Sequence, residues 1–312
     1  MAALEVLHPG MLTLIQDTGR LGVAELGLSQ GGPVDLHAFC WANYLVGNAM
    51  ERPQLEVTLG QASFRAQDDL ICAITGADMA VTVDGQRQLP WQSFVVHQGQ
   101  VLKFGYARDG LRAYLAVKGG FDIPRVLGSA SAVPRNQLGG LKAGTALAEG
   151  DVLPVTHGEI NRHAFQSKQA APRYIPDYTD PVHLRVMESY QCDYFSEQAK
   201  QRFYASAYQI SQQSDRMGCR LEGPAIQAEI DGIISEAIAY GAIQIPPNGQ
   251  PIILLNDRQT LGGYPKLGCI ARMDMPRLAQ ARPGTAVQFV RGDWATLRKE
   301  WQDFSQFFGL PM

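Results

Sequence analysis

No stretch of this 312-residue chain is apolar for long enough to cross a bilayer. Positive charge is not in excess either. Lys and Arg number 27 against 30 Asp and Glu, a formal net charge of −3, so the electrostatic footprint of a nucleic-acid binder is missing. Cysteine is scarce and unpaired. Cys40, Cys72, Cys192, Cys219 and Cys269 are an odd number of scattered thiols, which argues against a disulfide framework or a zinc site and for free thiols in a reducing compartment. The histidines (His8, His37, His97, His157, His163 and His183) form no close pair at ligand spacing, so no metal is expected. No Lys or Arg precedes Arg20, and no compact apolar segment leads to a cleavage site, so no signal peptide is expected. The expected location is cytoplasmic, with neither nucleic acid nor membrane as partner.

Several chemical signatures are also missing. Lys118-Gly119-Gly120 lacks the upstream spacing of a phosphate-binding loop. Neither Ser29-Gln30-Gly31 nor Ser214-Asp215 is a nucleophile elbow. There is no dinucleotide fingerprint, haem site or methionine-flanked biotinylation lysine. The chain therefore shows no means of its own to activate a substrate with ATP, and no cofactor is expected to be bound by it.

What is present is a globular composition, 46% hydrophobic and 18% charged, long enough for two domains. Gly (32) and Pro (18) punctuate many short apolar runs. Phe94–His97, Val101–Phe104, Tyr114–Val117, Leu184–Met187, Ile243–Ile245, Ile252–Leu255 and Val287–Val290 read as strands, and their spacing suggests barrels or sandwiches. Three helices are expected. One is capped by Asp35 and ended by Gly47, one runs from Asp193 to Tyr204, and one opens at Asp293. The last carries Trp294, Leu297, Trp301, Phe304 and Phe308 on one face, a stripe expected to pack on the protein's own core.

The segment from His157 to Pro181, with Pro172, Pro176 and Pro181, reads as a connection. Domains are expected at residues 1–165 and 166–312. The halves carry a faint echo: Asp17-Thr18-Gly19-Arg20 resembles Asp215-Arg216-Met217-Gly218. Glu56 and Gly60 are likewise matched by Glu236 and Gly241, with ten residues between each glycine and Ile71 or Ile252. These matches favour a duplicated β-domain with the Asp35 helix inserted in the first copy.

Four segments combine glycine with groups able to bind or polarise a small polar molecule. The first joins Gln16, Asp17 and Arg20 to Gly31, Gly32 and Asp35. Lys118, Gly119 and Gly120 make the second, just after a strand. The third holds Ser214, Asp215 and Arg216. The fourth leaves the Ile252 strand as Asn256, Asp257, Arg258, Gln259 and Thr260, then Gly262, Gly263, Tyr264 and Lys266. Arginine offers a planar fork for a carboxylate, lysine a compact charge. Backbone N–H groups beside the glycines can hold a developing oxyanion. The aspartates can equally orient the arginines or cap turns.

These blocks resemble those of the family of 5-oxoprolinase C subunits, also called allophanate hydrolase subunit 2 or the biotin-dependent carboxyltransferase A/B-subdomain family. The resemblance runs in order from about Leu12 to Val290. It implies a mainly β fold of two cyclophilin-like β-barrel domains with a few short helices. It also implies a soluble component, inactive alone, of an ATP-dependent complex with separate A and B subunits that opens 5-oxo-L-proline to L-glutamate. On that resemblance, Arg216 or Arg258 binds the substrate carboxylate and Lys118 or Lys266 stabilises charge developing on oxygen. Asp257 or Asp17 positions the lactam N–H or one of those cations, and Gly119, Gly120, Gly262 and Gly263 admit backbone donors. Two other roles accompany the family. One is a carboxyltransferase component acting on a urea-like amide, where biotin would enter on a separate carrier. The other is a regulatory protein that sequesters a histidine-kinase inhibitor, itself a homologue of the 5-oxoprolinase B subunit. Prolyl isomerase activity does not follow, since a shared fold carries no active site with it.

Overall fold

The computed structural model describes residues 2–156 and 165–311. His157, His163 and the start of the expected connecting segment lie outside them. The chain divides into two compact units. The first is Met1–Leu21 with Gly31–Thr179, and the second is Gly22–Gln30 with Asp180–Met312.

The first unit contains β1 (Ala3–Pro9), β2 (Leu12–Gln16), α1 (Leu36–Val46), β3 (Gln54–Thr58), β4 (Ala62–Ala66) and β5 (Leu70–Gly76). It continues with β6 (Thr82–Val83), β7 (Gln86–Arg87), β8 (Gln92–Val96), β9 (Val101–Lys103), β10 (Arg112–Val117) and β11 (Val152–Pro154). Two sheets form, in the orders β11-β1-β4-β9-β6-β7 and β2-β3-β10-β5-β8. Leu4, Val6, Val57, Phe64, Ile74, Phe104 and Leu115 belong to one buried core cluster drawn from both sheets. Every residue of β5 and β10 is buried, as expected of strands covered on both faces, and apolar residues predominate in them rather than alternating with polar ones. Helix α1 packs on β5, β10 and β8. It forms where the sequence predicts. The Asp35 carboxylate accepts from Ala38 N at 2.8 Å, and Gly47 ends the helix at φ 74°, a left-handed conformation that glycine adopts without the Cβ penalty.

The second unit contains β12 (Val182–Glu188), α2 (Glu197–Ala205), β13 (Ala207–Ile210), β14 (Gly218–Glu222), β15 (Glu236–Ala237) and β16 (Ala242–Gln244). After these come β17 (Ile252–Leu254), β18 (Leu261–Gly262), β19 (Lys266–Ile270), α3 (Met275–Gln280), β20 (Ala286–Arg291) and α4 (Trp294–Phe308). A closed barrel runs β12-β19-β16-β17-β14-β13-β20, and β15 and β18 make a separate ribbon. The fold is thus mainly β with few short helices. No helix among the described residues is long and apolar enough to cross a membrane.

Two helix readings need correction. Asp193 does not cap α2; it sits in a short 3-10 turn, and Ser196 accepts from Ala199 N instead. The stripe on α4 is only partly covered. Leu297 and Phe308 are buried while Trp294, the first residue of the helix, is 65% exposed.

The units share a strand order. In the first, β2-β3-β10-β5 are neighbours in antiparallel pairs. In the second, β13-β14-β17-β16 are the same. Each places its four strands in the spatial order first, second, fourth, third. Strands one and four, each antiparallel to the strand between them, therefore point the same way, and their exit loops share one end of the sheet. Asp17 and Asp215 both follow strand one. The Gly60–Ile71 and Gly241–Ile252 part of the echo has no such basis. It would equate β4 and β5, which are not neighbours, with β16 and β17, which are.

Candidate functional site: the loop ends of the two units and a pocket on the second

In the first unit the predicted loop residues largely bind one another and the chain around them. Gln16 is fully buried, donating to Ala132 O at 2.9 Å and accepting from Gly32 N at 3.0 Å. The Asp17 carboxylate accepts from Ser129 Oγ at 2.5 Å, Ser131 Oγ at 2.7 Å, Ala130 N at 2.6 Å and Gly19 N at 3.0 Å. Arg20, 1% exposed, donates to the carbonyls of Val126, Ser129 and Ser131. A Cβ on Gly31 would stand 2.7 Å from Val133 Cγ2. Asp35 caps α1, its N–H donates to the buried Tyr114 hydroxyl, and that hydroxyl donates to Glu56 at 2.7 Å. Burial, then the neighbouring Glu56 and Asp35 carboxylates, push the Tyr114 phenol well up. A carboxylate holding four donors has little capacity left to position a lactam.

The Lys118 loop differs from its expectation in one respect. Gly119 N donates to Asn48 Oδ1 at 2.7 Å and Gly120 N to Val117 O at 2.8 Å. Both predicted oxyanion donors are therefore committed. Gly119, at φ 89°, is needed because a Cβ would lie 2.2 Å from Thr156 O. The half-buried Lys118 ammonium makes no hydrogen bond or ion pair among the described residues. Asn48, which fixes this loop, carried no signal in the sequence.

In the second unit, Arg216 and Asp257 come together. Nε to Oδ2 is 2.9 Å and Nη2 to Oδ1 is 3.2 Å, with both residues buried. Asp257 N also donates to Arg216 O. This fork fixes the β13–β14 turn to the exit of β17, so Asp257 orients Arg216. Asp215 accepts from Met217 N and Gly218 N, and Ser214 Oγ accepts from Arg220 N, so both residues shape the turn. Ser29, in the short segment that belongs to this unit, donates to the carbonyls of Asp257 and Arg258. Arg258 itself donates to the carbonyls of Ile238 and Leu255 and lies 5.8 Å from the Tyr240 ring centroid. No carboxylate pairs with its guanidinium among the described residues, and burial pulls its pKa below the ordinary value. Lys266 is buried and paired with Glu236 at 2.5 Å. Tyr190 also donates to that carboxylate. These partners hold the Glu236 carboxyl below its usual range.

Of the remaining predicted residues, Gln259 and Tyr264 line a cavity, while Thr260, Gly262 and Gly263 shape the ribbon beside it. Gly262 pairs with Glu236 across the β15–β18 ribbon, and a Cβ there would lie 2.6 Å from Gln244 Nε2. Gly263 O accepts from Ile233 N and Thr260 O from Ile238 N. Gln259 and Tyr264 face a pocket of about 410 Å³, within the size range of small-molecule sites. The pocket floor is the outer face of the barrel, where Arg220 is the cross-strand partner of Ile252 and Ile252 of Gln244. Gln244 is 2% exposed, and its Nε2 has no hydrogen-bond partner among the described residues. A buried, unused amide N–H is costly to maintain. The side chains of Arg220, Gln259 and Tyr264 make no hydrogen bond or ion pair among the described residues. Sequence reading missed Arg220 and Gln244. The one available signal was an amide between Ile243 and Ile245 in a strand otherwise built to be buried.

The strand order and the barrel define a mainly β protein whose polar loop ends stand at the exits of its strands. Residues 26–291 match the family described as carboxyltransferase domain, subdomain A and B, and the chain belongs to that family. It is 35% identical over 306 residues to the C subunit of 5-oxoprolinase from Escherichia coli, covering 98% of this chain and 96% of the relative. It is 34% identical to the Haemophilus influenzae protein of the same name, covering 92% and 90%. Urea amidolyase of Saccharomyces cerevisiae is 31% identical over 96% of this chain, which spans only 17% of that protein. Among solved structures, Kluyveromyces lactis urea carboxylase superposes with a TM-score of 0.87 at 28% identity, over 99% of this chain and 30% of that one. TTHA0988 gives 0.83 at 32% over 93% of this chain, which spans about half (56%) of that protein.

Proposed function

We propose that this chain is the C subunit of a 5-oxoprolinase, working with separate A and B subunits to open 5-oxo-L-proline to L-glutamate with consumption of ATP. The observation that carries this reading is the second-unit pocket, where polar groups without partners surround an apolar floor at the end of the Asn256–Lys266 loop. A compact lactam has the matching parts, a polar carbonyl and an apolar ring. The end-to-end match to two proteins named as 5-oxoprolinase C subunits supports the same choice.

In this reading Arg258, bound among the described residues by carbonyls and a ring face, stands outside the pocket lining and anchors the loop whose next residue, Gln259, lines it. Asp257 holds Arg216 so that the loop keeps its shape. ATP is used by the complex, and no group of this chain is assigned to it. The test is reconstitution: this chain, the A and B subunits, ATP and 5-oxoproline are combined and glutamate is followed. Release only from the complete mixture is expected, with Arg258→Ala lowering turnover at least tenfold. Glutamate formation unaffected by omitting this chain would refute the proposal.

A second reading rests on the superposition with urea carboxylase. There the chain transfers a carboxyl group to a urea-like amide, with biotin on a separate carrier. Dependence of product formation on bicarbonate and a biotinylated carrier would select it.

A further inference from the structure

We infer that Arg220 and Gln244 are the substrate-recognition pair of this pocket, selecting a small ligand with a carboxylate at one end and an uncharged carbonyl at the other. The inference rests on the proposed lactam function and adds to it the residues that choose the substrate. Arg220 on β14, Ile252 on β17 and Gln244 on β16 form a row across three neighbouring strands. They share one face of the sheet, because directly paired residues point the same way. The two polar residues are therefore about 10 Å apart at the backbone, two strand spacings. Ile252 and Leu254 line the same pocket and give it apolar surface.

The chemistry of the two ends differs. Gln244 lines the pocket, and its Nε2, a neutral donor without a partner among the described residues, is covered beside Gly262, so a ligand meets it as that side chain turns toward the cavity. An uncharged acceptor such as a lactam or amide oxygen satisfies it without bringing a second charge into a buried place. Arg220 is half-buried, lines the pocket and has no acid paired to it among the described residues. Its planar fork suits a carboxylate. Glu222, two residues along the same face, is the other charged lining group. It is exposed, so water screens its repulsion of an anion held deeper in. Urea fits this arrangement poorly, having no anionic end for Arg220.

Calorimetric titration of the full chain, alone and mixed with the A and B subunits, tests the assignment. The ligands are 5-oxoproline and 2-pyrrolidinone, the same ring without the carboxylate. Arg220→Ala is expected to weaken 5-oxoproline binding about tenfold or more, the loss typical of a hydrogen bond to a charged group, and to leave 2-pyrrolidinone unchanged. Gln244→Leu, close in volume, is expected to weaken both ligands, and Arg220→Lys to fall between wild type and Arg220→Ala. Circular dichroism checks that each variant is folded. Unchanged 5-oxoproline affinity in Arg220→Ala, equal loss of both ligands, or no 5-oxoproline binding by wild type in either setting overturns the inference. Failures of the two ideas separate cleanly. Glutamate release by wild type with an unaltered KM in Arg220→Ala removes the recognition pair and leaves the enzyme reading. Carboxylate-selective binding without glutamate release in any mixture keeps the pair and removes that reading.

Discussion

Where β10 ends in the first unit the chain reads Lys118-Gly119-Gly120, and just past the end of β17 in the second it reads Asn256-Asp257-Arg258. These are the ends of topologically matching strands, yet their polar groups have different uses. In the first unit the backbone donors of the glycines are taken by Asn48 and Val117, and neighbouring Gln16, Asp17 and Arg20 hydrogen-bond to the chain around them. Lys118 is the cation left over. In the second unit, among the described residues, one carboxylate fixes one guanidinium, Arg258 binds carbonyls and a ring face alone, and a pocket with an unsatisfied amide lies on the adjoining sheet face. The comparison teaches that one sheet order can carry a loop end devoted to structure and another that leaves groups for a ligand.

Substitutions can break this comparison. The largest effects are expected at the two buried carboxylates. Asp257→Ala strands the Arg216 guanidinium and should cost about 3–5 kcal/mol in denaturant unfolding. Asp17→Ala should cost a similar amount, about 3–5 kcal/mol, by leaving buried donors unpaired. A loss under about 1 kcal/mol at either would mean that the fork or the four-donor cage does not hold its loop. Next come the glycines. Gly119→Ala forces a Cβ against Thr156 O in a left-handed conformation and should cost about 2 kcal/mol or more. Gly263→Ala, where the nearest atom would be 3.2 Å away, should cost under about 1 kcal/mol. Equal losses would erase the contrast between the two glycine loops.

Much of this was legible in the sequence, and the boundary of legibility is physical. Asp35 with Gly47, and Asp293 with the apolar stripe behind it, are local signals, and the helices form there. Ser196 displaced Asp193 as the cap of α2 because both residues can serve and only the chain path decides. Helix α3 opens at Asp274-Met275-Pro276, an acid and a proline that mark a start, but its six residues are too few to show a period. The Asn256–Lys266 loop stood out because unlike polar groups crowd the end of an apolar strand. Arg220 and Gln244 did not, since they are 24 positions apart and meet only through the pairing of β14 and β16 with β17. A row across three strands has no sequence period.

The smallest effects concern charge. Lys118→Ala should change stability by less than about 0.5 kcal/mol, its ammonium having no partner to lose. A larger loss in thermal unfolding would give Lys118 a structural duty. Glu236 has a lowered carboxyl pKa, so the stability it contributes is fully present above the ordinary carboxylate range and is lost as pH falls through the lowered value. Amide exchange in the β15–β18 ribbon should therefore stay slow to lower pH in wild type than in Lys266→Met. Identical profiles would disconnect the ion pair from the ribbon.

The most direct measurement follows the side-chain amide of Gln244 and the guanidinium of Arg220 by NMR as 5-oxoproline is added to the full chain. The account predicts saturable shifts at both groups, with Lys118 unmoved. Saturable shifts at Lys118 with Gln244 and Arg220 unchanged would contradict it.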